Sequence, residues 1–369
     1  MKYYIIAGEA SGDLHGSNLI KEIRKADPGA LIRCWGGDKM EAAGAVLVKH
    51  YRDLAFMGFT EVVKNLPAIF RNIAFCKQDI TDFQPDVLVL VDYPGFNLRI
   101  AKWAHEQGFK IAYYISPQIW AWKENRIKAI RRDVDKMIVI LPFEKDFYQK
   151  HQYDVNYVGH PLAGVIAEWH AAHPYVRKEK IVALLPGSRR QEILVKLPIM
   201  LQVAEHFPEY KFVTAKAPGL PDDFYEAILQ PYKNVSAVSN QTYELLAKAE
   251  AALVTSGTAT LETALFGVPE IICYKGGKIS YEIAKRLIKI KYIGLVNLIM
   301  DKEVVKELIQ DELNVKNLVA ELKQLLTPSP KLEEIKKDYA ALKELLTAGG
   351  NASENAAKII VDLTHAAKA

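Results

Sequence analysis

Two distant stretches of the chain begin alike: an apolar run, a loop of small residues, then a helical pattern. The first is Tyr-Tyr-Ile-Ile-Ala-Gly-Glu-Ala-Ser-Gly-Asp at residues 3–13, and the second is Ile-Val-Ala-Leu-Leu-Pro-Gly-Ser-Arg-Arg-Gln-Glu at residues 181–192. A run of five apolar residues has no polar face to offer water. As a strand it has to be covered on both sides, which is the condition of a parallel sheet flanked by helices. The same alternation recurs along the chain. Runs at Leu31–Trp35, Val87–Val91, Lys110–Ile115, Met137–Leu141 and Asn156–Val158 follow the first opening, and Lys211–Thr214, Val235–Val238, Ala252–Thr255 and Glu270–Tyr274 follow the second. Strands alternating with helical patterns are βαβ units, so the chain reads as α/β with two doubly wound, Rossmann-like domains.

A length of 369 residues suits two domains. The expected divisions are a first domain over 1–165, a second over 166–345, and a final helix over 346–369 that crosses back to the first. The seam falls between Pro161 and Lys180. The tail breaks at Gly349-Gly350-Asn351, after which Ser353 is the expected helix cap.

Composition excludes several classes. Half the residues are hydrophobic and a quarter are charged, which is a folded globular balance. Cys34, Cys76 and Cys273 lie far apart, without metal or redox spacing, and read as small buried hydrophobes. The run at Tyr3–Ala7 is too short for a signal sequence, and no stretch approaches the ~20 apolar residues of a membrane span. The expectation is a cytoplasmic protein. A net charge of +4 does not argue for nucleic acid, but it suits phosphorylated ligands or an anionic membrane surface.

Doubly wound domains bind ligands at the carboxyl ends of their strands, so the loops there carry the chemistry. Gly8-Glu9-Ala10-Ser11-Gly12-Asp13 opens a helix whose free N–H groups can meet an anion or a sugar hydroxyl. The alternative is a plain turn with Ser11 or Asp13 as cap. In Pro186-Gly187-Ser188-Arg189-Arg190, Gly187 permits close backbone approach, Ser188 can cap or donate, and Arg189 supplies a planar fork for phosphate. The alternative is a solvated arginine at a helix start.

Thr255-Ser256-Gly257-Thr258-Ala259-Thr260-Leu261-Glu262 is a second anion-friendly helix start. Glu262 is placed to accept from ribose hydroxyls, or simply to complement the helix N-terminus. Asp92, in Val91-Asp92-Tyr93-Pro94-Gly95-Phe96-Asn97, ends a very apolar strand where desolvation can raise a carboxyl toward a general base. It reads otherwise as a turn aspartate. Ser116-Pro117-Gln118-Ile119-Trp120-Ala121-Trp122 sits beside Lys123, Arg126, Lys128, Arg131 and Arg132, which suits lipid or an acyl chain, or ordinary packing of one tryptophan beside a solvated charged helix. Asp133-Val134-Asp135 precedes a strand instead of following one, which rejects a metal site there. His160 ends a strand at the seam. Tyr51–Ile73 and Lys275–Tyr292 mix apolar and basic residues as a membrane-surface helix does, and equally as an ordinary amphipathic helix does.

Together with Leu-Pro-Phe-Glu at 141–144, Gly-His-Pro-Leu at 159–162, Leu-Val-Asn-Leu at 295–298 and Ala-Ser-Glu-Asn at 352–355, the motifs at 8–13, 116–122, 185–189 and 256–262 resemble the lipid-A-disaccharide synthase family over essentially the whole chain. The resemblance implies a GT-B type glycosyltransferase with its two domains facing a central cleft. It implies inverting, metal-independent transfer with no cofactor, joining UDP-2,3-diacylglucosamine to 2,3-diacylglucosamine 1-phosphate. It also implies peripheral attachment at the cytoplasmic face of the inner membrane of a Gram-negative bacterium, with a homo-oligomer left open. Matched by motif, Asp92 takes the place of the family's essential aspartate, Arg189 that of the essential arginine, and Asn297 that of an asparagine near the nucleotide. Gly95 departs from members that carry a second aspartate there. The expected donor set is Gly187, Ser188, Arg189, Ser256, Gly257, Thr258, Glu262 and Asn297. The acceptor-side loops are expected to use Glu9, Ser11, Gly12 and Gln118. Two other classes remain open on the residues alone: a UDP-sugar 2-epimerase and a non-catalytic lipid- or nucleotide-binding protein.

Overall fold

The computed structural model describes residues 1–54, 66–277, 281–282, 285–286 and 290–366. Residues 55–65 of the apolar-basic stretch Tyr51–Ile73, and residues 278–280, 283–284 and 287–289 of Lys275–Tyr292, lie outside these described residues. The chain divides into two compact units, Met1–Pro161 with Leu346–Ala369, and Leu162–Leu345.

The first unit is built on β1 (Lys2–Ala7), β2 (Leu31–Gly36), β3 (Val46–His50), β4 (Val87–Val91), β5 (Ile111–Tyr114), β6 (Lys136–Val139) and β7 (Asn156–Tyr157). They form one parallel sheet in the order β3-β2-β1-β4-β5-β6-β7. Every residue of β4 is fully buried. The five alternating Val and Leu side chains are covered on both faces, each contributing about 1.5–3 kcal/mol of burial. The helix Ala10–Ala26 turns Leu19, Ile20 and Ile23 inward. The final helix, Ala352–Ala366, packs against it.

That last helix is capped by Asn351, not by the expected Ser353. The Asn351 side-chain oxygen accepts from the N–H groups of Ser353 at 3.1 Å and Glu354 at 3.2 Å, and Ser353 is itself buried inside the helix start. Asn is among the strongest helix N-caps, and here it precedes the helix by one residue.

The second unit contains β8 (Ile181–Leu185), β9 (Lys211–Lys216), β10 (Val235–Ser239), β11 (Ala251–Thr255), β12 (Glu270–Tyr274) and β13 (Lys306–Ile309), parallel in the order β10-β9-β8-β11-β12-β13. Two strands, β3 and β13, go beyond those read from the sequence. Both are sheet edges carrying lysine, where charge guards against pairing with another chain and dilutes the apolar signal. Most of the Ala- and His-rich stretch after Pro161 is a helix, Pro161–Ala172, and Trp169 near its end stacks on His173 at 4.3 Å.

Both sheets reverse strand order once, at β1/β4 in the first unit and β8/β11 in the second. A reversal leaves a crevice at the carboxyl ends of the two central strands, because their following helices depart to opposite sides. Among the described residues no helix is long and apolar enough to cross a membrane.

Asp13 belongs to the architecture. Its buried carboxylate accepts from the N–H groups of Gly37 at 2.8 Å, Lys39 at 3.2 Å and Met40 at 3.0 Å, capping the short helix Asp38–Ala42. It caps a neighbouring helix rather than its own, whose N-cap residue, Glu9, makes no side-chain cap bond. Asp13→Ala strands these buried donors, and urea unfolding is expected to show a loss of about 2–4 kcal/mol.

Candidate active site

In the first unit Ala7 pairs with Val91, so the loops after β1 and β4 leave the sheet side by side. The β4 loop starts with two consecutive residues in left-handed backbone, Asp92 at φ 45° and Tyr93 at φ 49°. Aspartate tolerates this region and tyrosine does not, so the turn stores strain on the order of 1–3 kcal/mol. Buried groups hold it. The Asn97 amide donates to the carbonyls of Val91 at 3.2 Å and Asp92 at 2.8 Å, and the Tyr113 hydroxyl donates to the Asp92 carbonyl at 2.6 Å. The Asp92 N–H is spent on the carbonyl of Tyr114 at 3.1 Å. Gly8 completes the turn by absence, since any β-carbon there would collide with the Tyr93 ring.

Burial pushes the Asp92 carboxyl up to about 6, and the nearby charge of Glu9 adds to the rise. A carboxylate in that range can take a proton from an alcohol and release it again near neutral pH. Glu9, at the N-cap of the helix Ala10–Ala26, and Ser11 in its first turn are exposed, and Gly12 is buried against Ala7. Two buried imidazoles of the first unit are pushed toward the neutral form. Burial lowers His15 to about 4, and burial together with His15 lowers His160 to about 3.

Tyr114 pairs with Val91, so the loop after β5 departs next to Asp92. Gln118 is exposed on it, and Trp120 is half-buried, with its ring edge-on to Phe143 at 5.0 Å. Trp122 is 53% exposed, and the Lys123 ammonium lies 4.1 Å from its ring centre.

In the second unit Leu185 pairs with Val254, which again sets two loops side by side. Gly187 sits at φ 114°, and a side chain there would strike the Glu192 carboxylate. The helix Arg190–Val203 follows with Arg189 at its N-cap position and no side-chain cap, so its first N–H groups are free for an anion. Ser188, expected to cap or donate, is exposed and does not cap. Arg189 is 57% exposed, with Glu192 as ion-pair partner at 3.3 Å. Across from it, Gly257 at φ 148° is the N-cap of Thr258–Leu265, and both Gly257 and Thr258 are exposed. Two uncapped helix starts and one guanidinium therefore converge where the sheet reverses.

Three donor-side residues are engaged with the protein itself. Ser256 donates its hydroxyl to the carbonyl of Ile293 at 2.8 Å. Glu262 accepts from the Tyr243 hydroxyl at 3.2 Å, and burial raises its carboxyl. Asn297, expected near the nucleotide, is the most fully engaged of the three. Its amide donates to the Val305 carbonyl at 2.8 Å and to Glu307 at 2.9 Å, while its oxygen accepts from the N–H groups of Val304 at 2.9 Å and Val305 at 3.0 Å. That uses the full capacity of a primary amide, and the side chain is fully buried, so it has nothing left for a nucleotide.

Glu307 is the residue that sequence reasoning missed here. It also accepts from the N–H groups of Ile293 and Gly294, both at 3.0 Å. It lies on the unrecognised edge strand β13, where its burial has no signal in the pattern. Asn297 and Glu307 thus brace the segment that Ser256 holds from the other side.

Asp133 and Asp135 are engaged elsewhere. Asp133 pairs with Arg132 at 2.6 Å, and Asp135 accepts from the Ile111 N–H at 2.9 Å.

Two doubly wound parallel-sheet units, each with one strand reversal, make up the GT-B fold. The fold is similar to that of the glycotransferase of kitacinnamycin (13% identity, 98% of each chain, TM-score 0.67). It is similar also to a UDP-GlcNAc 2-epimerase from Neisseria meningitidis solved with UDP-GlcNAc (14% identity, 98% of this chain and 99% of that one, TM-score 0.65). At such identities the likeness is one of fold. The sequence is more specific: a family model described as lipid-A-disaccharide synthetase matches residues 3–361. The lipid-A-disaccharide synthase of Geobacter metallireducens is 39% identical over 370 residues, covering 97% of this chain and 96% of its own length. The chain belongs to the lipid-A-disaccharide synthase family, glycosyltransferases of lipid A biosynthesis.

The two kinds of donor-side residue differ in what their loss does to stability. Asn297→Ala leaves the buried N–H groups of Val304 and Val305 without partners, takes one of three donors from Glu307, and is expected to cost about 2–4 kcal/mol in denaturant unfolding. Arg189→Ala removes an exposed side chain with a single surface ion pair, and the same measurement should change by less than about 0.5 kcal/mol.

Proposed function

We propose that the chain transfers the sugar of UDP-2,3-diacylglucosamine to the 6-hydroxyl of 2,3-diacylglucosamine 1-phosphate, releasing UDP and forming a β(1→6) disaccharide. Inversion at the anomeric carbon follows from a single displacement. The observation that carries this reading is the Asp92 carboxyl, pushed up to about 6 in a turn braced by buried side chains. Asp92 takes the proton of the acceptor hydroxyl as its oxygen attacks the donor carbon from the face opposite UDP. Gly95 leaves Asp92 as the only carboxylate in its loop.

On the donor side, Arg189 and the open helix starts at Ser188 and at Gly257-Thr258 meet the diphosphate and stabilise the charge that grows on it as the bond breaks. Fixed donors of this kind do the work a metal ion does in other transferases, and the reaction is read as metal-independent, with no cofactor. Gly187 gives the phosphates close access to the backbone. Glu262 is the candidate for the ribose hydroxyls, and Asn297 with Ser256 acts by holding the Ile293–Gly294 segment. Glu9, Ser11, Gly12 and Gln118 form the acceptor-side surface beside Asp92.

Acylated substrates reside in lipid, so the protein is read as working peripherally at the inner face of the inner membrane. Phe70 at 59% exposure and Phe75 at 50%, both on the helix Leu66–Phe83, offer apolar contacts for that surface.

The test supplies both acylated sugars and follows UDP release and the mass of the lipid product. Release of UDP that requires the acceptor, with a disaccharide product and no effect of EDTA, is the expected result. A 2-epimerised sugar formed without acceptor would overturn the reading. Asp92→Asn is expected to lower kcat by about 10²–10⁴-fold with UDP affinity unchanged by calorimetry. Near-normal turnover would remove Asp92 from the role of base.

A further inference from the structure

Glu144 is a carboxylate inside the first unit with 1% exposure, and it bridges two segments. One oxygen accepts from the N–H groups of Ile140 at 3.2 Å and Leu141 at 2.9 Å, closing the start of the helix Pro142–Lys150. The other accepts from the indole N–H of Trp120 at 3.3 Å, on the loop after β5. Burial pushes the Glu144 carboxyl up to about 7, while the bonds from Leu141, Trp120, Ile140 and Ser116 pull it back toward the ionised form. The backbone N–H groups and the indole N–H are donors with no capacity to accept, so both Glu144 oxygens serve here as acceptors.

The loop that Glu144 grips leaves the sheet under strain. Ile115, a β-branched residue, sits at φ 66°, where such residues are outliers. Other contacts restrain the segment as well: the Ile115 N–H on the carbonyl of Ile138 at 3.0 Å, the Ser116 hydroxyl 2.6 Å from that of Tyr148, the Trp120 ring edge-on to Phe143, and the buried Ile119 and Ala121. Of the polar anchors beyond Ser116, the indole N–H of Trp120 on Glu144 lies between the exposed Gln118 and Trp122, each two residues away. The loop leaves β5 directly after Tyr114, whose carbonyl accepts from the Asp92 N–H, and after Tyr113, whose hydroxyl holds the Asp92 carbonyl.

We infer that Glu144 is a positioning residue for the acceptor: through Trp120 it fixes the loop 116–122 that the acylated sugar contacts beside Asp92. The inference rests on the acceptor-side reading given above. Glu144 touches no reacting atom, and its loss acts on the acceptor and not on the donor.

The chemistry of the bridge supplies a discriminating variant. In Glu144→Gln, one end of the amide has to turn its NH₂ toward a donor. If the oxygen keeps the two backbone N–H groups, the NH₂ faces the Trp120 indole N–H and pushes the loop away. Trp120→Phe removes that opposing donor, so the double variant Glu144→Gln/Trp120→Phe is relieved of the clash.

Steady-state kinetics with both substrates varied reads this out. Glu144→Gln is expected to raise the acceptor KM by about 5–30-fold, with the donor KM and UDP affinity within about twofold of the parent. The double variant is expected to be no worse than Trp120→Phe alone, although independent effects would multiply. An unchanged acceptor KM, an equal rise in both KM values, or multiplying effects would overturn the inference. If Glu144→Gln does not fold, Trp120→Phe carries the test alone, because it leaves the helix-closing bonds of Glu144 intact. An unchanged acceptor KM in that variant would then overturn it. Failure of the unaltered protein to form any disaccharide sinks the reading of the reaction instead, and is distinguished by that control.

Discussion

Asp92 and Tyr93 occupy left-handed backbone in succession, at the end of a strand whose five side chains are all buried. An extended exit from β4 would carry the chain straight on. The turn instead reverses it within two residues and sends it into the helix Pro94–Glu106, leaving the Asp92 carboxylate at the sheet's reversal point. The strain is tolerated because the Asn97 amide N–H and the Tyr113 hydroxyl, both on fully buried residues, donate to the same carbonyl. Without them the Asp92 carbonyl would be left short of partners in a nearly dry environment, which costs about as much as the turn itself. The carboxyl of the same residue is raised by desolvation, with the charge of Glu9 adding to the rise.

The second unit solves a different problem with the same topology. Its reversal point carries no strained acid. It presents helix starts whose N–H groups have no side-chain caps, flanked by glycines at positive φ. A capping side chain would occupy the place of a phosphate oxygen, so the missing caps at Arg190–Val203 and Thr258–Leu265 are consistent with ligand sites. In the proposed reaction the first unit would supply the base that makes the nucleophile, and the second the donors that stabilise the leaving group.

The α/β class and the central strands were legible because buried parallel strands are uniformly apolar. Val87–Val91 and Ile181–Leu185 have the bounds read from the sequence, and Tyr3–Ala7 differs from its strand only by Lys2. The edge strands β3 and β13 were not legible, since an edge needs little hydrophobicity and both carry lysine. Asp92 was legible as a strand-end carboxylate, whereas its supports were not. Asn97 stands five residues on and Tyr113 lies in another strand, and each acts through a side-chain bond to backbone that leaves no periodic trace. Asn297 shows the converse. Its place in a motif suggested a ligand contact, but its four hydrogen bonds are intramolecular, to partners seven to ten residues further on that the motif does not contain.

The most direct measurement of this account is the titration of the Asp92 carboxyl itself, by carbon-13 NMR of the labelled side chain in the ligand-free protein. The structure predicts a midpoint near 6, moving down in Glu9→Gln as the second negative charge is removed. A midpoint near 4, insensitive to Glu9, would mean that Asp92 is solvated like any surface carboxylate. The account of a braced, desolvated base at the strand reversal would then be contradicted.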